Sequence, residues 1–194
     1  MKISLPEQKL YVRQHHQTIR KSLLPGEWKQ KSQAIIHRLM SSRMFISSES
    51  IHTYVSIEKS REVYTIDFIR SCIDAGKEVI VPRMKSGGEL SHHKITSIDS
   101  LSKNKWGVYE PTGDSPVNLP EHLLVIVPMV AADFQLNRLG YGKGYYDRFL
   151  GSVTSTKVGL CFNCNLSLEP LPSEPWDIKM DTIITNQFVL QMDM

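Results

Sequence analysis

The chain has 194 residues, 41% of them hydrophobic and 22% charged, and a formal net charge of +3. This is an ordinary balance for one soluble globular domain with a proper core, and it gives no argument for nucleic acid unless cations cluster locally. Three cysteines, a small and odd number, fit a reducing compartment better than a disulfide framework.

The elements follow in chain order. Residues from Glu7 to Leu24 read as a helix, with Pro25-Gly26 as a break. Val12, Ile19 and Leu23 recur at helical spacing and are expected to face the core, while Lys9, Arg13 and Arg20 share another stripe. A second helix is expected from Glu27 to Met40, burying Trp28, Ile35 and Leu39. Strand and helix signals then alternate. Ile51–Ser56 reads as a strand, Tyr64–Ala75 as a helix closed by Gly76, and Glu78–Pro82 as a buried strand. "ELSHHKI" reads as an edge strand. Leu123–Pro128 is the strongest strand signal, Lys157–Phe162 another, and Asp181–Thr185 the last. Continuous apolar strands between helices predict a three-layer α/β/α domain over residues 1–194. Its mainly parallel sheet would carry helices on both faces, with two helices at the N-terminus. No run approaches the roughly 18 apolar residues of a spanning helix. The stretch "MKISLPEQKLYVRQHHQ" lacks a signal-peptide core, so a cytoplasmic protein with no membrane partner is expected, and a monomer.

In open α/β sheets ligands gather at the carboxyl ends of strands. Just after the strongest strand comes "LNRLGYGKGYYDRFL", Leu136 to Leu150. Gly140, Gly142 and Gly144 leave room for a ligand against the main chain, and successive N–H groups leading into a helix near Gly144 form an anion site. Arg138, Lys143 and Arg148 add positive charge, and Arg138 is suited to a two-pronged grip on phosphate. Asp147 makes sense beside a polyphosphate if Mg²⁺ bridges the two. The spacing is neither a P-loop nor the dinucleotide fingerprint. The residues alone point to a phosphate-bearing ligand with a metal.

With its flanks, "VIVPMVAADFQLNRLGYGKGYYDRFL" resembles the signature of the 5-formyltetrahydrofolate cyclo-ligase family, also called 5,10-methenyltetrahydrofolate synthetases. Val127, Pro128, Asp133 and the run Arg138 to Arg148 match it. "KLYVR", "EVYT", "VPRM", "WGVYEP" and "WDIKMDTIIT" follow in the expected order over nearly the whole chain. The resemblance implies cyclisation of 5-formyltetrahydrofolate, with or without a polyglutamate tail, to 5,10-methenyltetrahydrofolate. ATP would be the co-substrate and Mg²⁺ the cofactor, with ADP and phosphate released through a phosphorylated formyl (iminium phosphate) intermediate.

Carried over by position, it implies ATP contacts from Lys9, Arg13, Arg138, Leu139, Gly140, Tyr141, Gly142, Lys143, Gly144, Tyr145 and Tyr146. Arg138 and Lys143 would serve catalysis. Asp147 and Asp181 would hold Mg²⁺, and Val55, Glu62, Trp106 and Tyr145 would contact the folate. Arg20 has no counterpart in the motif and is expected at the surface. The chain departs from the family pattern at Leu136 (usually Gly), Ala132 (usually Phe), Tyr64 (usually an acid) and Trp176 (commonly His). Its Ser56–Glu62 connection is longer than usual.

Other signals carry less. "CFNC" (Cys161–Cys164) lacks the further ligands of a zinc site and the helix start of a thioredoxin-like motif. The pairs His15-His16 and His92-His93 read as solvated. The alternatives are a non-catalytic nucleotide- or RNA-binding module using the same basic loop, and a phosphosugar-handling enzyme. No nucleic-acid partner is expected.

Overall fold

The computed structural model describes residues 3–104, 107–113 and 115–192. Helix α1 (Leu5–Ser22) opens with a reciprocal cap, in which Ser4 N–H donates to the Glu7 carboxylate at 2.9 Å. Helix α2 spans Pro25–Met40. Pro25 therefore starts that helix rather than lying in the break before it, because a first-turn residue needs no N–H partner. The remaining elements are α3 (Arg43–Ser47), β1 (Ser50–Thr53), α4 (Ile66–Asp74), β2 (Glu78–Met84), β3 (Leu90–Ile95), β4 (Leu101–Lys103), β5 (Tyr109–Pro111) and β6 (Leu123–Val127). Then come β7 (Ala131–Asp133), β8 (Arg138–Leu139), α5 (Tyr145–Gly151), β9 (Ser155–Leu160), β10 (Leu166–Ser167), β11 (Thr182–Ile184) and β12 (Val189–Gln191).

Among the described residues the main sheet has seven strands in the order β12-β11-β9-β6-β1-β2-β3. Strands β11, β9, β6, β1 and β2 are mutually parallel, and β12 and β3 close the two edges antiparallel. The fold class is as expected: α/β with a large, mostly parallel sheet. Asp181–Thr185 is not the final strand, because β12 follows it. The signal for β12 was weak because an edge strand with exposed residues shows no apolar run.

Alternate strand residues split between two cores, as the two-residue period requires. Val79, Val81, Leu124 and Ile126 face the layer of α2, α3 and α4, burying Trp28, Ile35, Leu39, Phe45 and Phe68 between them. Ile80, Leu123, Val125 and Val127 face the opposite layer, where α5 supplies Phe149 and Leu150. Each of these large side chains contributes about 1.5–3 kcal/mol by leaving water.

Helix α1 departs from its expected pattern. Val12 and Ile19 are half-buried, and the fully buried positions of the helix are His16 and Arg20. Polar groups at such positions must be hydrogen-bonded. His16 gives its carbonyl to the Asn165 amide at 2.7 Å. His93 is also buried and His92 half-buried, so of the two pairs only His15 is exposed. Among the described residues no helix is long and apolar enough to cross a membrane.

The chain runs from β1 outward to β2 and β3, then returns to lay β6 on the other side of β1. The direction of strand addition reverses between β1 and β6, and such a reversal opens a crevice beyond the strand ends. A three-stranded sheet, β10-β7-β8, stands just past β6. Its tight turn is fixed by Asp133, whose carboxylate accepts from the N–H groups of Gln135, Asn137 and Leu171 and from the Asn137 amide, at 2.8–3.0 Å. Leu136 completes the turn at φ +63 and is buried. This is a left-handed backbone position that glycine fills most easily, and here a leucine holds it by packing into the core.

Candidate active site

A cleft of about 1150 Å³ opens at this reversal point. One wall comes from the segment after β1, with Tyr54, Val55 and Glu62, and the other from β8, the glycine loop and the start of α5. The N-terminal part of α1 contributes Lys9 and Arg13, and the stretch before β11 contributes Glu174, Trp176 and Asp177.

The loop has the backbone its glycines permit. Gly142 lies at φ +87 and Gly144 at φ +68. A methyl group on Gly142 would sit 3.0 Å from the Arg13 guanidinium, so the missing side chain is what lets Arg13 close over the loop. Arg13 Nε donates to the Gly140 carbonyl at 2.8 Å. From the other side Arg148 donates to the carbonyls of Lys143 (2.9 Å) and Gly88, which ties the loop to the turn between β2 and β3. Among the described residues the backbone N–H groups from Gly140 to Gly144 donate to no protein acceptor. Lys143 is exposed and makes no ion pair among them. Because α5 has only seven residues, its dipole is small, and the loop N–H groups and cations carry the positive field.

Arg138 donates to Asp147 Oδ1 at 2.6 Å, and its side chain is only 4% exposed against 26% for Asp147. Burial pushes the guanidinium down and the Asp147 carboxylate pushes it back up. Arg138 Nε and the Tyr146 hydroxyl are both buried without a partner, at the cleft wall. Orphaned donors of this kind are rare in the absence of a ligand to meet them. Lys9 Nζ lies 2.6 Å from both Glu174 and Asp177.

At the far end of the cleft Glu62 is buried, and burial raises its carboxyl above the usual range. The Tyr141 hydroxyl (2.6 Å) and the Ile57 N–H (2.6 Å) each donate to one of its oxygens. Arg61, at φ +51, lets the 58–60 turn fold back so that Glu62 points inward. The Ser56–Glu62 connection thus leaves both Val55 and Glu62 lining the cleft. Helix α4 starts only at Ile66, so Glu62 is not a first-turn helix charge.

The cleft brings together Lys9, Arg13, Val55, Glu62, the whole run Arg138 to Tyr146, and Asp147. Asp181 does not join them. It precedes β11 at the amino end of the parallel strands, outside the cleft lining, and its carboxylate takes the Lys157 N–H at 2.7 Å and pairs with the Lys157 ammonium at 3.0 Å. From the same segment it is Glu174 and Asp177 whose carboxylates reach the cleft. Trp106 lies outside the described residues. The thiols of Cys161 and Cys164 are both pushed up by burial, Cys161 to about 12, which suits inert core cysteines. Among the described residues no three His, Cys, Asp or Glu side chains gather as a metal cage.

Arg20, expected at the surface, is 3% exposed and donates to the carbonyls of Ser60 and Met129 and to the Tyr141 hydroxyl. Its place on the Lys9–Arg13 stripe was the available signal. Glu174 and Asp177 were not singled out from the sequence either, although Asp177 lies within the quoted "WDIKMDTIIT".

The model of the 5-formyltetrahydrofolate cyclo-ligase family matches residues 6–186. The 5-formyltetrahydrofolate cyclo-ligase of Escherichia coli K12 is 31% identical over 173 residues, covering 86% of this chain and 93% of that protein. The enzyme of the same name from Haemophilus influenzae is 28% identical over 183 residues, covering 89% and 95%. Among solved structures, the 5,10-methenyltetrahydrofolate synthetase of Aquifex aeolicus superposes with a TM-score of 0.83 at 32% identity, covering 96% of this chain and 93% of that one.

Proposed function

The chain belongs to the 5-formyltetrahydrofolate cyclo-ligase family, and from that membership and the cleft we infer that it converts 5-formyltetrahydrofolate to 5,10-methenyltetrahydrofolate at the expense of ATP with Mg²⁺. One observation carries the reading. A glycine loop with unpaired N–H groups and flanking cations shares a single cleft with a buried carboxylate and an apolar wall at the sheet's reversal point.

The chemistry asks for this inventory. A formamide oxygen is a poor leaving group until it is phosphorylated. In the proposed sequence that oxygen attacks the γ-phosphorus and ADP leaves. N10 then bonds to the activated carbon and loses its proton, and phosphate departs as the ring closes. Phosphoryl transfer depends on alignment and on charge stabilisation, so no protein nucleophile is required. The N–H groups from Gly140 to Gly144 would take the phosphate oxygens, with Lys143 and Arg138 meeting charge on the transferred group. Leu139 and Tyr146 would border the nucleotide, and Lys9 and Arg13 would close from α1. Lys9 would exchange its present carboxylates for phosphate, or hold Glu174 and Asp177 beside it. Val55, Glu62 and Tyr145 would receive the pterin.

The donor set fits Mg²⁺ held chiefly by phosphate. That ion keeps several waters and needs one or two carboxylates, and Asp147, with a partly exposed carboxylate at the end of the loop, would supply one. When bound it would offset charge between the β- and γ-phosphates. Asp147 would then have a second role, holding Arg138 in line.

The test is direct. Purified protein, 5-formyltetrahydrofolate and MgATP are mixed, and methenyl product is followed by absorbance. Product that depends on ATP and magnesium is expected; none at high enzyme concentration rejects the assignment. An RNA- or nucleotide-binding module would instead bind without turnover and tolerate loss of Asp147.

A further inference from the structure

The reaction described above uses the cleft from both ends, yet a buried, well-anchored cation behind its wall has no part in that account. Arg20 reaches from the second half of α1 to a buried position behind Glu62 and Tyr141, which line the cleft, and makes three directed hydrogen bonds. Nε gives to the Ser60 carbonyl at 2.8 Å, Nη1 to the Met129 carbonyl at 2.9 Å, and Nη2 to the Tyr141 hydroxyl at 2.6 Å. The acceptors sit on three different segments: the turn that delivers Glu62, the exit of β6, and the glycine loop. Only a guanidinium, with its fixed fork of donors, satisfies all three at once.

The Tyr141 hydroxyl accepts a hydrogen bond from Arg20 and donates one to Glu62 Oε1, 2.6 Å away. Donor, relay and carboxylate are thereby ordered in one direction, and each bond polarises the next. Tyr141 stands between Gly140 and Gly142, so the side chain leaving the phosphate loop is the one that grips the carboxylate at the folate end.

We propose that Arg20 is a positioning residue which, through the Tyr141 hydroxyl, fixes Glu62 as a paired acceptor for the substrate ring and ties it to the glycine loop. The proposal rests on the cyclo-ligase reading and extends it. Each Glu62 oxygen already takes one hydrogen bond, which leaves one acceptor position on each for two neighbouring N–H groups of a pterin. Both positions are available only while the carboxylate is charged.

The titratable groups that face Glu62 are Arg20 from α1, Tyr54 after β1, Tyr141 from the loop and Tyr146 on α5. Burial raises all three tyrosines, so they are neutral near pH 7 and Arg20 is the cation of the set. Burial also raises the Glu62 carboxyl, while the Tyr141 hydrogen bond, the Arg20 charge and the Ile57 N–H lower it. Removing the first two leaves burial in control, and the carboxylate then takes up a proton at a higher pH.

Tyr141→Phe is the informative variant, because Arg20 keeps its bonds to Ser60 and Met129 and the core is untouched. Arg20→Leu and Arg20→Lys accompany it. Binding of 5-formyltetrahydrofolate without nucleotide is measured by equilibrium titration, and kcat/KM is followed against pH. Tyr141→Phe is expected to weaken folate binding roughly tenfold, the effect of one lost hydrogen bond to a charged group. Its kcat should change less than KM, and its acidic limb should move to higher pH. Arg20→Leu should move that limb at least as far, and Arg20→Lys should restore part of it by returning the charge. A merely structural Arg20 would lower the melting temperature and the amount of active enzyme while leaving the pH limb and folate affinity in place. If Tyr141→Phe keeps both at the wild-type value, the proposal is wrong even though the protein is a cyclo-ligase. Wild-type protein that forms no methenyl product removes the substrate reading, and this proposal with it.

Discussion

Adding one methyl group at Gly142 tests whether the loop's shape, rather than its charge alone, makes the phosphate site. Gly142→Ala forces an L side chain to φ +87, where the left-handed backbone costs about 1–2 kcal/mol. The new carbon would lie 3.0 Å from Arg13 Cζ and Nη2, so Arg13 must withdraw. Withdrawal breaks its bond to the Gly140 carbonyl, worth about 1 kcal/mol. The sum, about 2–3 kcal/mol, falls on an exposed loop, which relaxes to another shape and must be drawn back when nucleotide binds. KM for ATP is therefore expected to rise on the order of 30- to 150-fold. The melting temperature should hardly move, because the buried sheet is untouched. Steady-state kinetics at saturating folate, with a thermal melt on the same sample, measure both. A wild-type KM for ATP in Gly142→Ala would refute the reasoning.

Three further outcomes follow. Gly26→Ala is the contrast: it has an unrestricted φ and no atom within 4 Å of the added carbon, in the first turn of α2, so a melt should show a gain of about 0.4–1 kcal/mol. Asp147→Ala should lower kcat by about a hundredfold or more while the melting temperature drops a few degrees, since buried Arg138 loses its counter-charge; wild-type turnover would remove Asp147 from the mechanism. Below neutrality, stability should decline. His92 is brought down to about 4, chiefly by burial and then by His93 and Lys85. The unfolded chain, with an ordinary histidine near 6.5, therefore binds more protons between those values. This contribution is complete above about pH 6.5 and lost as pH falls toward about 4. Thermal melts across that range should fall for the wild type and fall less steeply in His92→Gln, with buried His16 and His52 keeping the rest of the slope.

Much of the fold could be read from residue order, because parallel strands buried on both faces leave continuous apolar runs. Leu123–Val127 and Glu78–Val81 are of this kind, and the glycine run after the first marked the cleft. What escaped has physical reasons. A short exposed edge such as β12 leaves no apolar run, and the β7–β8 turn is hidden inside the motif it supports. Arg20 and His16 occupy interior positions that periodicity assigns to apolar side chains, because hydrogen bonds from distant segments satisfy them. Asp181 is the opposite case: the motif match singles it out, while the strand direction puts it at the amino end of the parallel strands, paired with Lys157 and outside the cleft lining. Leu136 holds a φ that glycine adopts most easily, and does so by burying its side chain.

The most direct measurement is a crystal structure with magnesium and a non-hydrolysable ATP analogue. Phosphate oxygens seated on the N–H groups of Gly140 to Gly144, with the metal on the Asp147 carboxylate, are the expected result. A nucleotide bound away from this loop, or a metal with no contact to Asp147, would contradict the account.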